Sequence, residues 1–425
     1  MLDIAIIGAG PCGLTTALRL HQQGFRPTVY EAVPELKPLG VGIDTKIYGT
    51  REIDEVGLLD EFRKISVNAK HSIFFNEYGQ EIYAELCGTY MGYLHEQRFV
   101  HRGTLQMLLY RTVLERLGED SVVLGARCTG YSQADGKVTA NLLRPDGSTF
   151  QVTADVLIAT DGIKSAVRTQ MHPESASPAY SGITMFRGTT IMEPYADGQT
   201  ILHIGNPHKS SLIVYPIAND FEGTGKTLVN WVCEAVRDES VEDWNQTGGV
   251  EEILPYWDNC KLPFLDVQEM MRNAREVYLM PLIDHNPLDS WVDGHVVLAG
   301  DAAHAMYPRG GNGWCQAIVD SRVIAEKLAS TDDIDAALTA YQDERLEVVN
   351  RIVMANRGEG YEVIRRMVAD RTGGEPFSNV DDVLPLAEAD AVFSKYHALV
   401  GQPRPGHEAG EATGFRTEYA LVAGA

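Results

Sequence analysis

The sequence predicts an α/β protein in which a parallel-sheet domain is discontinuous, interrupted by an antiparallel β lobe and followed by a helical C-terminal region. Three observations lead there. Residues 1–31 read as strand, glycine-rich turn, helix and strand. Buried-type strands return far downstream at Asp155–Thr160 and His295–Ala299. Between about Gly182 and Tyr278 the pattern changes to short β-forming runs divided by Gly, Asn and Pro.

In chain order, Ile4-Ala5-Ile6-Ile7 is apolar throughout, as a strand covered on both faces must be. Leu14–Gln23 carries apolar residues at helical spacing and Pro27–Glu31 is a second strand, so the opening unit is βαβ and parallel. Residues 51–66 and 104–117 read as amphipathic helices. Gln199–Ile204, Ser211–Ile217 and Thr227–Glu234 are strand-like runs of the inserted lobe. A helix is expected from about Trp314 to Ala329, helical structure over 334–370, and a loosely ordered tail over 406–425. The parallel-sheet domain is thus expected in three parts (1–70, 98–178 and 281–330), with 71–97 and 179–280 in the β lobe and 331–405 helical.

Composition excludes several classes. The 425 residues are 44% hydrophobic and 22% charged, an ordinary globular balance. A net charge of −23 speaks against nucleic-acid or anionic-membrane partners. The six cysteines form no C-x-x-C pair and no metal-ligand spacing, so neither a dithiol reductase nor a metal site is expected. The chain opens Met1-Leu2-Asp3 directly into a strand and holds no apolar run of bilayer length; a cytoplasmic location is expected.

Three stretches carry chemistry. Gly8-Ala9-Gly10-Pro11-Cys12-Gly13 follows a strand and opens a helix. Its glycines permit a tight turn (Gly8), approach of a pyrophosphate (Gly10) and close helix–strand packing (Gly13), and the helix end offers free N–H groups to phosphate. Glu31, ending the second strand, is placed to accept from a ribose hydroxyl. This Rossmann-like unit indicates a dinucleotide, NAD or FAD. Second, Asp161-Gly162 ends the strand at 155–160 and runs through Lys164 to Arg168 into a helix; on spacing alone an Asp N-cap explains it. Third, Gly300-Asp301 ends a strand and leads through Pro308-Arg309-Gly310-Gly311-Asn312-Gly313 into the next helix, a loop rich in exposed N–H groups that favours the negative charge of a reduced flavin.

Together, in this order and spacing over roughly residues 1–330, the motifs resemble the group A flavoprotein monooxygenases with the para-hydroxybenzoate hydroxylase fold. Gly182–Gly188, Val229–Cys233 and Asp243-Trp244-Asn245 look most like the branch acting on 5-methylphenazine-1-carboxylate, related to salicylate and 3-hydroxybenzoate hydroxylases. The resemblance implies tightly but non-covalently bound FAD, with NADH or NADPH as co-substrate. Gly8, Gly10, Gly13 and Glu31 would hold its ADP half; Arg102, with Gln106 nearby, the phosphate and ribityl region; Asp161 and Gly162 the shared FAD and NAD(P)H motif. Gly300 and Asp301 would meet the ribityl or pyrophosphate, and Gly42, Ile43, Pro308 and the Gly311-Asn312-Gly313 backbone would flank the flavin ring. One departure stands out: after Gly40-Val41-Gly42-Ile43 the family continues with apolar or amide residues, and here Asp44-Thr45-Lys46 follows.

The implied reaction hydroxylates a small phenolic, aromatic-acid or phenazine-like substrate with O₂ through a flavin C4a-hydroperoxide, in a monomer or homodimer. No second G-x-G-x-x-G serves the nicotinamide. Candidates for the substrate wall are Arg187 for a carboxylate, His203 and Tyr215 as proton partners of a phenol, and Trp231. His304 reads as a structural member of the cofactor loop. A halogenase would carry W-x-W-x-I-P, which is absent; another flavin reductase or a non-catalytic FAD-binding redox sensor is the remaining alternative.

Overall fold

The computed structural model describes residues 2–236, 246–358, 360–405 and 413–417. The first sheet has six strands in the order Val292–Asp293, Val296–Leu298, Val156–Ala159, Ile4–Ile7, Thr28–Glu31, Val122–Leu124. All neighbours are parallel except the first pair. Ile4 pairs with Val156 and Leu157 with Val296, so three stretches separated by well over a hundred residues form one surface. Each central strand is buried along its whole length because helix Pro11–Gln22, backed by Gly313–Ser330, and a three-stranded antiparallel sheet pack on it and share its core. That three-stranded sheet spans residues 127–154 and contributes Tyr131, Val138, Ala140 and Leu142 to the shared core.

The second large sheet has eight strands: Gln246–Thr247, Val277–Asp284, Ala179–Met192, Thr227–Val236, Ser210–Ala218, Thr200–Asn206, His71–Phe75 and Glu81–Leu86. Its pairings are antiparallel except where Thr200–Asn206 runs beside His71–Phe75. Between the two large sheets lies a small one, Gly42–Thr45, Arg98–His101 and Ser66–Asn68, which carries the chain from cofactor loop to β lobe.

Three expectations need correction. The helix expected over 51–66 is two, Ile47–Glu55 and Leu59–Lys64, divided at Gly57, and residues 66–68 are strand. The helical stretch 334–370 is Ile334–Arg357 and Val363–Thr372, with a 3₁₀ turn at Gly360–Glu362 that proves to matter for the site. The tail is not wholly loose: Phe415 exchanges backbone hydrogen bonds with Ala84, and Asp390 accepts from the Thr413 and Gly414 amides. Asp243, Trp244, Asn245 and residues 406–412 and 418–425 lie outside the described residues.

Candidate active site

The site is a long groove joined to a deeper cavity. The groove, about 730 Å³, runs past Gly8, Gly10, Glu31, Gln106, Thr160, Asp161 and Gly162. The cavity, about 230 Å³, is lined by Gly42, Ile43, Asp44, Arg187, His203, Tyr215, Asp301, Pro308, Gly311, Gly313 and Tyr361 among others. Arg102 lines both, so it marks their junction. A larger groove, about 1070 Å³, lies along Trp257–Met270 and shares no residue with either; none of the three motifs reaches it.

The groove follows from local sequence. Gly8 turns with φ +102°, and a Cβ there would stand 2.6 Å from the Thr160 carbonyl. A Cβ on Gly13 would stand 2.0 Å from the Gly8 carbonyl, whereas one on Gly10 would meet nothing within 4 Å. Gly8 and Gly13 are therefore packing glycines and Gly10 opens onto the groove. Glu31 braces this turn by accepting from Ala9 N (2.7 Å) and Val33 N (3.0 Å), and Gln106 donates to Ala9 O (2.8 Å). Both side chains thus shape the loop while also lining the groove.

His101 caps helix Arg102–Leu117 by accepting from Thr104 N, and its Nε2 meets Gly40 O at 3.0 Å. That, with Arg102 N donating to Val41 O (3.0 Å), holds the 38–42 loop against the helix start and leaves the Arg102 guanidinium exposed, without a side-chain hydrogen bond among the described residues. At the other wall, Asp161 accepts from Ala166 N (3.0 Å) through Oδ2. Its Oδ1 is buried and meets no donor, and burial raises its pKa above the usual carboxylate range. An unpartnered cation at the junction, an orphaned carboxylate oxygen and a glycine-floored helix start are what the ribose and pyrophosphate of FAD would satisfy. The residues present fit that cofactor.

The cavity is built around the Pro308–Gly313 loop. Asn312 faces inward: its Oδ1 accepts from Tyr48 Oη (2.8 Å) and its Nδ2 donates to Tyr396 Oη (2.6 Å). Its side chain therefore anchors the loop while Gly310, Gly311 and Gly313 face the cavity. Gly300 does not line the cavity; a Cβ there would crowd Cys12 and Ala317, so it serves packing. Asp301 is exposed at the cavity and His304 is buried against Asp320 (2.6 Å), with Arg345 on the other carboxylate oxygen (2.9 Å). His304 is thus structural.

From the β lobe come Arg187, Tyr215 and His203. Arg187 donates to Gly42 O (3.3 Å), yet its Nε is buried without an acceptor and burial lowers its pKa. Burial pushes the Tyr215 phenol above its ordinary pKa, so it stays protonated. His203 is 2% exposed and stacks on Phe74, with Glu362 2.6 Å from Nδ1 and Ser72 3.3 Å from Nε2. With both ring nitrogens facing protein partners, His203 offers the cavity a wall rather than a free base. Trp231 is corrected outright: it is fully buried in the core of the lobe, donating Nε1 to Thr190 Oγ1, because its strand position points away from the cavity.

Several residues escaped the sequence reading. Arg168, inside the Asp161–Arg168 stretch, donates to the carbonyls of Ala303 (2.9 Å), Ala302 and Asn286. It ties the second motif to the third, and burial lowers its pKa to about 10. Asn230 accepts from Gly42 N (2.7 Å), joining lobe to loop. Tyr361 and Glu362 bring the C-terminal region to the cavity; only a conserved polar pair in aligned relatives could have signalled them.

A family model described as "FAD binding domain" matches residues 1–356. The chain belongs to that family. A phenazine 1,6-dicarboxylic acid hydroxylase from Lysobacter antibioticus is 34% identical over 405 residues, covering 94% of this chain and 97% of the relative. Aurachin C monooxygenase/isomerase from Stigmatella aurantiaca is 30% identical over 362 residues, 83% and 87% of the two chains. Among solved structures, HpxO of Klebsiella pneumoniae complexed with FAD and uric acid matches with TM-score 0.71 and 24% identity over 92% of this chain and 97% of that one. A salicylate hydroxylase substrate complex matches with TM-score 0.71 and 21% identity over 95% of this chain and 99% of that one. This FAD-binding family member is a group A aromatic monooxygenase. No helix among its described residues is long and apolar enough to cross a membrane.

Proposed function

We propose that this FAD-dependent hydroxylase acts on a flat aromatic acid of the phenolic or phenazine class, using NADH or NADPH and O₂ in the cytoplasm as a monomer or homodimer. The observation that carries the substrate class is Arg187: a half-buried guanidinium at the cavity whose Nε is unmatched by any acceptor among the described residues. A planar carboxylate would supply that acceptor and the charge that burial otherwise makes costly. FAD, when bound, supplies both the electron transfer from nicotinamide and the activation of oxygen.

The chain's own residues then bind, orient and exclude water. Gly8, Gly10, Glu31, Arg102, Gln106, Asp161 and Gly162 would hold the ADP half and ribityl chain along the groove. Asp301, Pro308 and the backbone from Gly311 to Gly313 would border the flavin ring, with Gly42 and Ile43 across from them. Tyr215, protonated and opposite, can donate to a substrate oxygen. His203, Ile213 and Val232 close the wall against water, which would divert activated oxygen to hydrogen peroxide.

The test is to purify the protein with its flavin and screen aromatic acids, phenols and phenazines for stimulated NAD(P)H oxidation. A product heavier by one oxygen is the expected result. Uncoupled peroxide formation with every aromatic acid, or better turnover of neutral phenols than of acids, would refute this substrate class.

A further inference from the structure

The charged step in the sequence after Gly42-Ile43 lands beside the flavin loop. Asp44 lines the cavity with Pro308, Gly311 and Gly313. A Cβ on Gly311 would stand 3.2 Å from Asp44 Oδ2 and 3.3 Å from Lys46 Cε. Lys46 Nζ meets Asp44 Oδ2 at 2.7 Å, and Gln97 Nε2 donates to both Asp44 oxygens at 2.9 and 3.0 Å. Neither charge is free to swing away: the side chains are 8% and 13% exposed. The segment is also pinned to helix Gly313–Ser330, Trp314 Nε1 donating to Thr45 Oγ1 (3.2 Å) and Lys46 N to Cys315 Sγ (3.3 Å).

The two charges face different spaces. Asp44 faces the cavity, while Lys46 lies behind it in a small polar chamber with Glu85, His397 and Tyr361. Burial alone would lower the Lys46 pKa, yet Asp44 holds it well above the ordinary value, so the ammonium stays charged. A neutral amide and an apolar side chain would fill these positions without placing charge near the cofactor. Two opposite charges fixed in series at the loop make an electrostatic setting for whatever lies over Gly311.

We propose that the Asp44–Lys46 pair sets the electron affinity of the bound flavin, Asp44 opposing and Lys46 favouring the charge it gains on reduction. This rests on the reading that the ring lies over the Pro308–Gly313 loop. Charges near the ring are one of the few levers a protein has over a cofactor's electronics, and in a water-poor site each acts with little screening. Both residues are therefore positioning residues, acting on the cofactor by field and not by contact with substrate.

The experiment is a spectroscopic reduction-potential titration of the purified holoprotein with a reference dye, without substrate. It is done at a single fixed pH of about 8 for every variant. In Asp44→Asn the reduced-to-oxidised ratio at fixed dye potential should rise about tenfold or more. In Lys46→Met it should fall by as much, and the double variant should return near the wild type. A tenfold change in that ratio is about 30 mV for a two-electron couple. Lys46→Arg, which keeps the charge, should leave the potential within a fewfold of wild type; it and Asp44→Glu serve if a neutral single variant loses its flavin. Shifts of the same sign in both neutral variants, or no shift in a neutral variant that retains full flavin, overturn the proposal. A wild-type protein without flavin after reconstitution would instead overturn the placement of the ring.

Discussion

Alanine at Gly10 and at Gly13 should fail in different ways, and the geometry says why. Gly10 has φ −68° and ψ 171°, a conformation any residue adopts. Its added Cβ meets nothing within 4 Å, so the cofactor-free fold should lose nothing and gain up to about 1 kcal/mol from a stiffer unfolded chain. That methyl group would nonetheless stand on the groove floor at the helix start, where phosphate oxygens must come within hydrogen-bond reach of backbone N–H groups. We expect FAD affinity to fall at least tenfold, about 1.4 kcal/mol. Gly13→Ala is the opposite case. Its Cβ would lie 2.0 Å from a backbone oxygen and 2.5 Å from Thr160 Oγ1. The roughly 1 kcal/mol that alanine gains over glycine in a helix is outweighed by overpacking against a rigid strand, for a net loss of about 2 kcal/mol. Thermal melts of the apoprotein and fluorescence titration with FAD read the two quantities separately. Unchanged FAD affinity in Gly10→Ala, or a Gly13→Ala apoprotein as stable as wild type, would refute the division of labour.

Other outcomes follow from the cavity. Arg187→Met should raise KM for an aromatic acid about 10- to 100-fold, the value of a charged hydrogen bond of roughly 1.5–3 kcal/mol, while barely affecting a neutral analogue; steady-state kinetics on the pair checks it. For Glu362, burial alone would raise the pKa, but His203 and Arg365 pull it down to about 2. A folded pKa below the unfolded value of about 4.3 gives stability that is present above pH 5 and drains away as pH falls toward 2, up to roughly 3 kcal/mol. Glu362→Gln should therefore be less stable at neutral pH, with its deficit shrinking in acid melts; a deficit constant with pH would contradict this. Tyr396→Phe strips a hydroxyl that accepts from Asn312 and donates to Asn356 (2.9 Å), leaving two buried amides short of a partner. A loss of about 1–3 kcal/mol and weaker FAD retention are expected from melts and cofactor release.

The nucleotide-binding half was legible because its signals are local. Ile4–Ile7 and Val156–Ala159 are recognisable as apolar runs, and each motif sits at the carboxyl end of its own strand. The lobe was legible as β structure but not residue by residue. Arg187 and Trp231 lie on adjacent paired strands, yet one faces the cavity and the other the core. Which face is inward depends on register against Ala179–Met192, information that no single strand holds. The turn at Gly360–Glu362 was illegible for a related reason. It interrupts a helical pattern to deliver Tyr361 and Glu362 to the cavity, and its partners Phe74 and His203 lie more than a hundred residues away in sequence.

The scattered origin of the first sheet has a consequence in time. Ile4–Ile7 is made first, but its neighbour Val156–Ala159 and the strand Val296–Leu298 beyond it come much later. At synthesis rates of about 5–20 residues per second, that interval is on the order of 15–60 s. Throughout it, the phosphate-binding turn is an incomplete half-cradle beside a parallel-strand edge with nothing paired to it, the kind of surface that invites aggregation. Ribosome stalling or premature termination within the β lobe should thus yield insoluble, colourless fragments, and the yellow colour of a cell extract would count only those chains translated past the Pro308–Gly313 loop.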